Sequence, residues 1–168
     1  MLSFSYRSMA QEHPTDYQIK AAFLEKFAKF VEWPDNAFAD TNSPVCIGIF
    51  GEDPFHGALE TLAARDTVNG RRVQVKQIKA LPDLKHCQIV FIPASMKAQE
   101  HDILDEVKTQ ATLTVGDSDD FCRVGGMIQF VIENEHVHFE IKNDVARAAG
   151  LKISSKLLML AKQTTADL

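Results

Sequence analysis

The histidines are the residues of this chain most suited to metal chemistry. His136 and His138 lie two positions apart, so both imidazoles fall on one face of a β-strand. A zinc site would need further ligands, and the sequence contains neither a CxxC nor an HExxH motif. We therefore predict no metal and interpret the pair as a solvent-exposed strand face.

Nucleophile and nucleotide motifs are also missing from the sequence. Ser95 and Ser118 each follow a predicted strand, but neither lies in the Gly-x-Ser-x-Gly sequence of a nucleophile elbow. The glycines have neither dinucleotide-binding nor Walker spacing, and Gly125-Gly126 precedes a strand rather than a helix. We therefore predict no cofactor, no catalytic residue and no enzymatic activity.

Polar side chains follow several predicted strands. Asp53, Ser95, Asp117 and Ser118 would lie beyond the carboxyl ends of the strands, where open α/β sheets bind ligands. Together with Asp119 they would make this crevice acidic, which suits an anion poorly. Helix caps and turns also explain these residues, and that interpretation is favoured over a ligand crevice.

The first element that must position these residues is a helix. Thr15 and Gln18 have capping-box spacing, and Trp33-Pro34 is expected to end the helix. One apolar face is core or a contact surface for a partner, and core is favoured. The residues of that face are Phe23, Leu24, Phe27, Phe30 and Val31.

Strand and helix patterns then alternate along the chain. Apolar or alternating runs predict strands at 45–50, around 73–75, at 89–92 and at 113–115. Helices are expected to start at Asp53-Pro54 and at Ser95, and shorter helices to occupy 144–149 and to follow Ser154.

The fold class follows from this alternation. It predicts an α/β fold with an open, mostly parallel sheet of about five or six strands and helices on both faces, Rossmann- or flavodoxin-like. Residues 127–141, with Asn134-Glu135 between two strands, predict a C-terminal antiparallel hairpin. We expect residues 1–14 to form a flexible tail and residues 15–168 a single domain.

Composition limits the classes of function. The 168 residues are 45% hydrophobic and 24% charged, which is typical of a globular protein. The net charge of −5 disfavours nucleic-acid binding, and no apolar run is long enough to span a membrane. Residues 1–13 lack the apolar centre of a signal peptide, so a cytoplasmic protein and a trimmed secreted one both remain open.

The three cysteines are the most informative polar residues. Cys46 and Cys87 begin two strands that are parallel neighbours in a flavodoxin-like order, about 4.8 Å apart. That separation is compatible with a disulfide, although spacing alone slightly favours buried free thiols.

Many segments of the chain, in order, resemble the YfiR family. The first runs from Tyr17 to Pro34, and the resemblance continues to about residue 162. Its other segments are 51–55, 68–71, 87–92, 114–117, Phe121, 125–128, 139–141 and 149–158. The chain departs from the family at Glu25-Lys26, where an aromatic-Asn pair is common, and at Gln129, where a second disulfide would need a cysteine to pair with Cys122.

The resemblance implies a periplasmic protein of Gram-negative bacteria whose secretory signal was removed or omitted before residue 17. An oxidising compartment then favours a Cys46–Cys87 disulfide, with Cys122 left free. It also implies a non-enzymatic regulator that binds and restrains the periplasmic sensor region of an inner-membrane signalling protein, such as a diguanylate cyclase. The alternative is a periplasmic small-ligand-binding protein that uses the strand-end crevice, and a homodimer is a second expected interaction.

Overall fold

The computed structural model describes residues 15–161, so the predicted tail at 1–14 lies outside the described residues. Short 3₁₀ turns cover Asp35–Ala37, Leu81–Leu84 and Ala94–Gln99. The helices and strands, in chain order, are α1 (Asp16–Phe30), β1 (Val31–Glu32), β2 (Val45–Phe50), α2 (Ala58–Ala63), β3 (Thr67–Val68), β4 (Arg71–Ile78), β5 (Ile89–Ile92), α3 (Glu100–Val107), β6 (Leu113–Gly116), β7 (Ile128–Glu133), β8 (His136–Ile141), α4 (Asn143–Ala148), β9 (Lys152–Ile153) and α5 (Ser155–Leu160).

The main sheet has seven strands in the order β3-β4-β2-β5-β6-β7-β8. Strands β4, β2, β5, β6 and β7 are parallel, and the edge strands β3 and β8 are antiparallel to their neighbours. Counted along the chain, the parallel strands have the flavodoxin-like order 2-1-3-4-5. The predicted fold class is confirmed. The sheet exceeds the expected strand number partly because the Asn69-Gly70 turn folds the two-residue β3 back onto β4.

Each face of the sheet has its own apolar core. On one face, α1, α2 and α5 pack against the sheet, and Leu24 and Phe27 of α1 are completely buried. The Phe27 ring lies 5.8 Å from that of Phe130 and 5.1 Å from that of Phe139. The aromatic face of α1 is therefore core, as favoured, and not a free contact surface. On the other face, α3 covers the sheet with buried residues such as Ile103.

The first helix ends earlier than predicted. It stops at Phe30 because Val31 and Glu32 pair with Ile153 and Lys152 in a separate two-stranded antiparallel sheet. The partner strand β9 is more than a hundred positions away along the chain, so the local pattern around Trp33-Pro34 could not reveal it.

Two predicted helix starts were also wrong. The Asp53 carboxylate accepts the N–H groups of Phe55 at 2.7 Å and Gly57 at 3.4 Å, which stabilises a turn; α2 begins only after Gly57, whose φ is +85°. Ser95 lies in a 3₁₀ turn that kinks at Met96, and α3 begins at Glu100.

Other local predictions are confirmed. Thr15 and Gln18 form a reciprocal capping box at the start of α1. The hairpin turn at Asn134-Glu135 joins β7 and β8, and both turn residues have positive φ. The Ser154 hydroxyl accepts the Lys156 N–H at the start of α5. None of the helices within residues 15–161 is long and apolar enough to cross a membrane.

Candidate functional site

The carboxyl ends of β5 and β6 are joined to α1 through Asp117. This residue directly follows β6, and one oxygen of its carboxylate accepts the Tyr17 hydroxyl at 3.0 Å and the Lys20 ammonium at 2.9 Å. The other oxygen accepts the N–H of Ala94, just after β5, at 2.7 Å. One carboxylate thus connects α1 with two strand-end loops.

The Lys20–Asp117 pair is well shielded from water. The Lys20 and Asp117 side chains are only 8% and 3% exposed. The ammonium also lies 4.4 Å from the centre of the Tyr17 ring, within cation–π range. Burial and the neighbouring Asp117 charge raise the pKa of Tyr17 to about 12, so its hydroxyl remains a donor at neutral pH.

A second buried polar pair adjoins this group. The Ser118 hydroxyl donates to a carboxylate oxygen of Glu100, the first residue of α3. Ser118 is 2% exposed and Glu100 4% exposed. A carboxylate in the first turn of a helix also interacts favourably with the helix dipole. The pair therefore connects the loop after β6 to the start of α3.

The structure distributes the predicted crevice residues over several structural roles. Asp117 and Ser118 are consecutive and already bonded to protein groups, and Asp53 stabilises its own turn. Ser95 is exposed, next to the Ala94 N–H that donates to Asp117. Tyr17 and Lys20 of α1 contact the strand ends through Asp117, and the Lys20 ammonium partly neutralises the predicted acidity.

Tyr17, Lys20 and Glu100 were not predicted from the sequence. Tyr17 and Lys20 are three apart on a helix, so they share one face, and that spacing was an available signal. Nothing local could pair them with Asp117, which is 97 residues after Lys20.

At the opposite end of the strands, Cys46 of β2 lies beside Cys87, just before β5. Their Sγ atoms are 3.6 Å apart, and the structure holds them as two free thiols. A disulfide requires about 2.05 Å, so a shift of less than 2 Å would allow bonding. The structure therefore brings together the two cysteines that sequence reasoning paired, while the disulfide itself stays a prediction.

Backbone and amide contacts hold this thiol pair in place. The Gln88 side chain accepts the Cys46 N–H at 2.7 Å and donates to the Ala37 carbonyl at 2.7 Å. The hydrogen bond with Cys46 and burial raise the pKa of Cys87, whereas the same contact lowers the pKa of Cys46. Cys46 is thus the more acidic of the two thiols.

The third cysteine has a different environment. Cys122 is 6% exposed, and burial raises its pKa to about 12, so the thiol is unreactive at neutral pH. Its backbone N–H donates to the Gln129 side chain at 2.9 Å. Gln129, where a second disulfide would need a cysteine, therefore meets Cys122 through a hydrogen bond instead.

The remaining surface features are an exposed pair of histidines and a few exposed apolar side chains. His136 and His138 are exposed, and within residues 15–161 no cluster of three or more histidine, cysteine or acidic side chains could hold a metal ion. Large apolar side chains with the greatest exposure lie at the end of α5, where Met159 is 84% exposed and Leu160 60% exposed.

These observations define a class of protein: a flavodoxin-like α/β protein whose strand-end polar groups bond to one another. A family model described as DUF4154, YfiR/HmsC-like, matches residues 17–162. The chain belongs to this YfiR/HmsC-like family, whose members are known as periplasmic regulatory proteins rather than as enzymes.

One solved structure with a similar fold is the crystal structure of a conserved domain protein from Vibrio cholerae O1 biovar eltor. The TM-score is 0.59 at 9% sequence identity, and the match covers 87% of this chain and 59% of that chain. At this identity the likeness concerns the fold alone, and the chain spans little more than half of that protein. No curated protein matches the chain.

Proposed function

We propose that this protein is a non-enzymatic periplasmic regulator that binds and restrains the periplasmic sensor region of an inner-membrane diguanylate cyclase. The observation that carries the proposal is the family match over residues 17–162. The strand-end contacts support a protein-binding role over a small-ligand role, because Asp117 and Ser118 already have partners within the chain.

The proposed mechanism is differential binding. A regulator that prefers the inactive conformation of its partner shifts the population toward that conformation. A coupling free energy of about 1–3 kcal/mol would change cyclase output about 5- to 150-fold.

The end of α5 is the contact surface that we propose. Met159 and Leu160 are large apolar side chains that are exposed to solvent. Leu157 of the same helix is completely buried and packs the helix against the core. Interfaces gain most from exposed apolar side chains that become fully desolvated on binding.

The experiment measures binding of the purified chain to the purified sensor region of a membrane cyclase encoded beside its gene. Met159→Asp and Leu160→Asp should each weaken binding about tenfold or more without lowering the melting temperature. Ile132→Asp is the matched control, because Ile132 is 50% exposed on β7. Unchanged binding in both α5 variants would contradict the proposed surface.

Repression itself needs a second measurement. Full-length cyclase in membrane vesicles should make less product when the chain is added, and the α5 variants should restore synthesis. A cyclase that binds the chain but keeps its full activity would contradict the regulatory role. A small metabolite that raises the melting temperature and depends on Asp117 would instead favour the ligand-binding alternative.

A further inference from the structure

One edge of the main sheet carries a strand that is much longer than its outer neighbour. Strand β3 pairs only with Arg71 and Arg72 of β4. Residues 73–78 of β4 pair with β2 on their inner side, and no strand among the described residues lies outside them. This part of β4 is a free sheet edge.

The hydrogen-bonding direction along that edge follows from its two ends. Arg71 closes the two-residue turn with Val68, so its N–H and C=O groups point toward β3. At the other end the Ile78 carbonyl accepts the Gly51 N–H on the β2 side. Because direction alternates along a strand, the N–H and C=O groups of Val73, Val75 and Gln77 point outward.

The outward groups of Val75 and Gln77 lie beyond the β3 pairing and have no hydrogen-bond partner among residues 15–161, whereas the Val73 N–H lies opposite Asp66, the residue before β3. A groove of about 590 Å³ lies beside Val73 and Val75, and its walls come from the turn before β2, from α2 and from β4. Ala63 and Ala64 of α2 form part of the wall, next to the Val73 and Val75 side chains. The edge therefore combines free backbone groups with a groove whose lining is partly apolar and also includes Glu60 and Arg72.

The two faces of β4 carry different kinds of side chain. Val73 and Val75 are half-buried and pack toward the core beneath α2. Arg72, Gln74 and Lys76 alternate with them and are exposed on the opposite face. Although the whole chain carries a net charge of −5, this face presents two cations and no carboxylate from β4 itself.

We propose that an extended segment of a partner protein, alternating apolar and acidic side chains, adds to β4 as a further strand. Backbone hydrogen bonds to Val75 and Gln77 would give affinity, as in other cases of strand addition. The apolar side chains of the segment would meet Val73 and Val75, and its carboxylates would meet Arg72 and Lys76.

A second copy of the chain is a poorer occupant. Antiparallel pairing of β4 with the β4 of another copy would bring Arg72 and Lys76 of both copies together, and like charges across strands are destabilising. The proposed segment goes beyond the function argued above, because it does not depend on which membrane protein the chain regulates.

The test uses soluble peptides of about seven residues, the length of an ordinary strand. One peptide alternates valine with glutamate, and a second alternates valine with lysine. The glutamate peptide should bind to the whole chain, measured by calorimetry, and the lysine peptide should not. On binding, amide hydrogen exchange should slow at Val75 and Gln77.

Two variants test the two parts of the contact. Val75→Pro removes one outward N–H and leaves the β2–β4 ladder intact, so the peptide should bind about tenfold more weakly. Arg72→Glu with Lys76→Glu should weaken binding at least about fivefold and should favour the lysine peptide. The matched control, Lys26→Glu with Lys152→Glu, makes the same charge change elsewhere and should leave binding unchanged.

Four results would overturn the proposal. Absence of binding by the glutamate peptide would do so, as would slowed exchange confined to β8 at the other sheet edge. Equal weakening by the Arg72/Lys76 and Lys26/Lys152 pairs would show a net-charge effect only. Self-association of the chain that Val75→Pro abolishes would assign the edge to a second copy.

Discussion

At the carboxyl ends of β5 and β6, an ion pair and hydrogen bonds join α1 to two loops through Asp117. At the amino ends of β2 and β5, Cys46 and Cys87 lie in van der Waals contact among apolar residues. Both ends connect segments that are far apart in sequence. The first connection depends on charge and protonation, and we expect the second to depend on the redox state.

The strand-end polar groups, which in this fold often contact a ligand, contact α1 here. In flavodoxin-like sheets the crevice beyond the carboxyl ends usually takes a cofactor. In this chain Tyr17 and Lys20 occupy that position, so the polar groups there hold the protein together. Below, the Asp117 group, or polar connection, is Asp117 with Tyr17, Lys20 and Ala94. The thiol connection is the pair of Cys46 and Cys87.

The largest expected effect is on the polar connection. Asp117→Ala removes the carboxylate and leaves the Lys20 charge, 8% exposed, without its partner. Breaking a buried ion pair from one side costs about 3–5 kcal/mol. The free energy of unfolding in urea, followed by fluorescence of the single tryptophan, Trp33, should fall by this amount.

The exposed neighbour Asp119 supplies the control for that experiment. Asp119→Ala should change the free energy of unfolding by less than about 0.5 kcal/mol, as is usual at exposed positions. A similar small loss for Asp117→Ala would mean that the Asp117 group contributes little and that the crevice is free to take a ligand.

The next effect concerns the thiol connection. Oxidation of Cys46 and Cys87, which are 41 residues apart, should raise the free energy of unfolding by about 2–4 kcal/mol, because the crosslink restricts the unfolded chain. Material prepared in an oxidising compartment should show one free thiol when denatured, and three after reduction. Cys122→Ser should remove the single free thiol and keep the stability gain.

Three thiols before and after reduction would show that Cys46 and Cys87 remain ordinary core residues. A loss of stability on oxidation would mean that the approach from 3.6 Å strains the sheet more than the crosslink helps. Either result would mean that the thiol connection, unlike the polar connection, does not stabilise the fold.

The two connections also differ in how far the sequence could predict them. The position of the thiols followed from two apolar strands with similar offsets and one rule of strand order, so Cys46 and Cys87 were correctly paired in space. The Asp117 group depended on where α1 lies across the sheet, which no local pattern encodes. The β1–β9 pairing that ends α1 at Phe30 could not be predicted either, because it joins segments that are distant in sequence.

Local chemistry set a further limit on prediction. The capping box at Thr15 and the hairpin turn at Asn134-Glu135 were read correctly because each depends on adjacent residues alone. Asp53 was misread as a helix cap because a carboxylate before proline stabilises a turn with the same hydrogen-bond acceptor, and only the φ of +85° at Gly57 distinguishes the outcomes.

The smallest expected effect is a dependence on alkaline pH that belongs to the polar connection alone. Burial and the Asp117 charge raise the pKa of Tyr17 from 10.0 to about 12. A group whose pKa is higher in the folded state contributes stability that is complete below pH 10 and is lost as pH rises to about 12. Since the ring is partly exposed, solvent screening limits this contribution to about 1 kcal/mol.

Tyr17→Phe removes the titrating hydroxyl and serves as the reference for that measurement. The free energy of unfolding of the natural chain, minus that of Tyr17→Phe, should be constant up to pH 10 and should fall by about 1 kcal/mol toward pH 12. Titration of Cys122, whose pKa is also about 12, is common to both chains and cancels in the difference. A difference that stays level to pH 12 would mean that Tyr17 ionises as freely in the folded chain as in the unfolded one. The Asp117 group would then lack the shielding from water that distinguishes it from an ordinary surface contact.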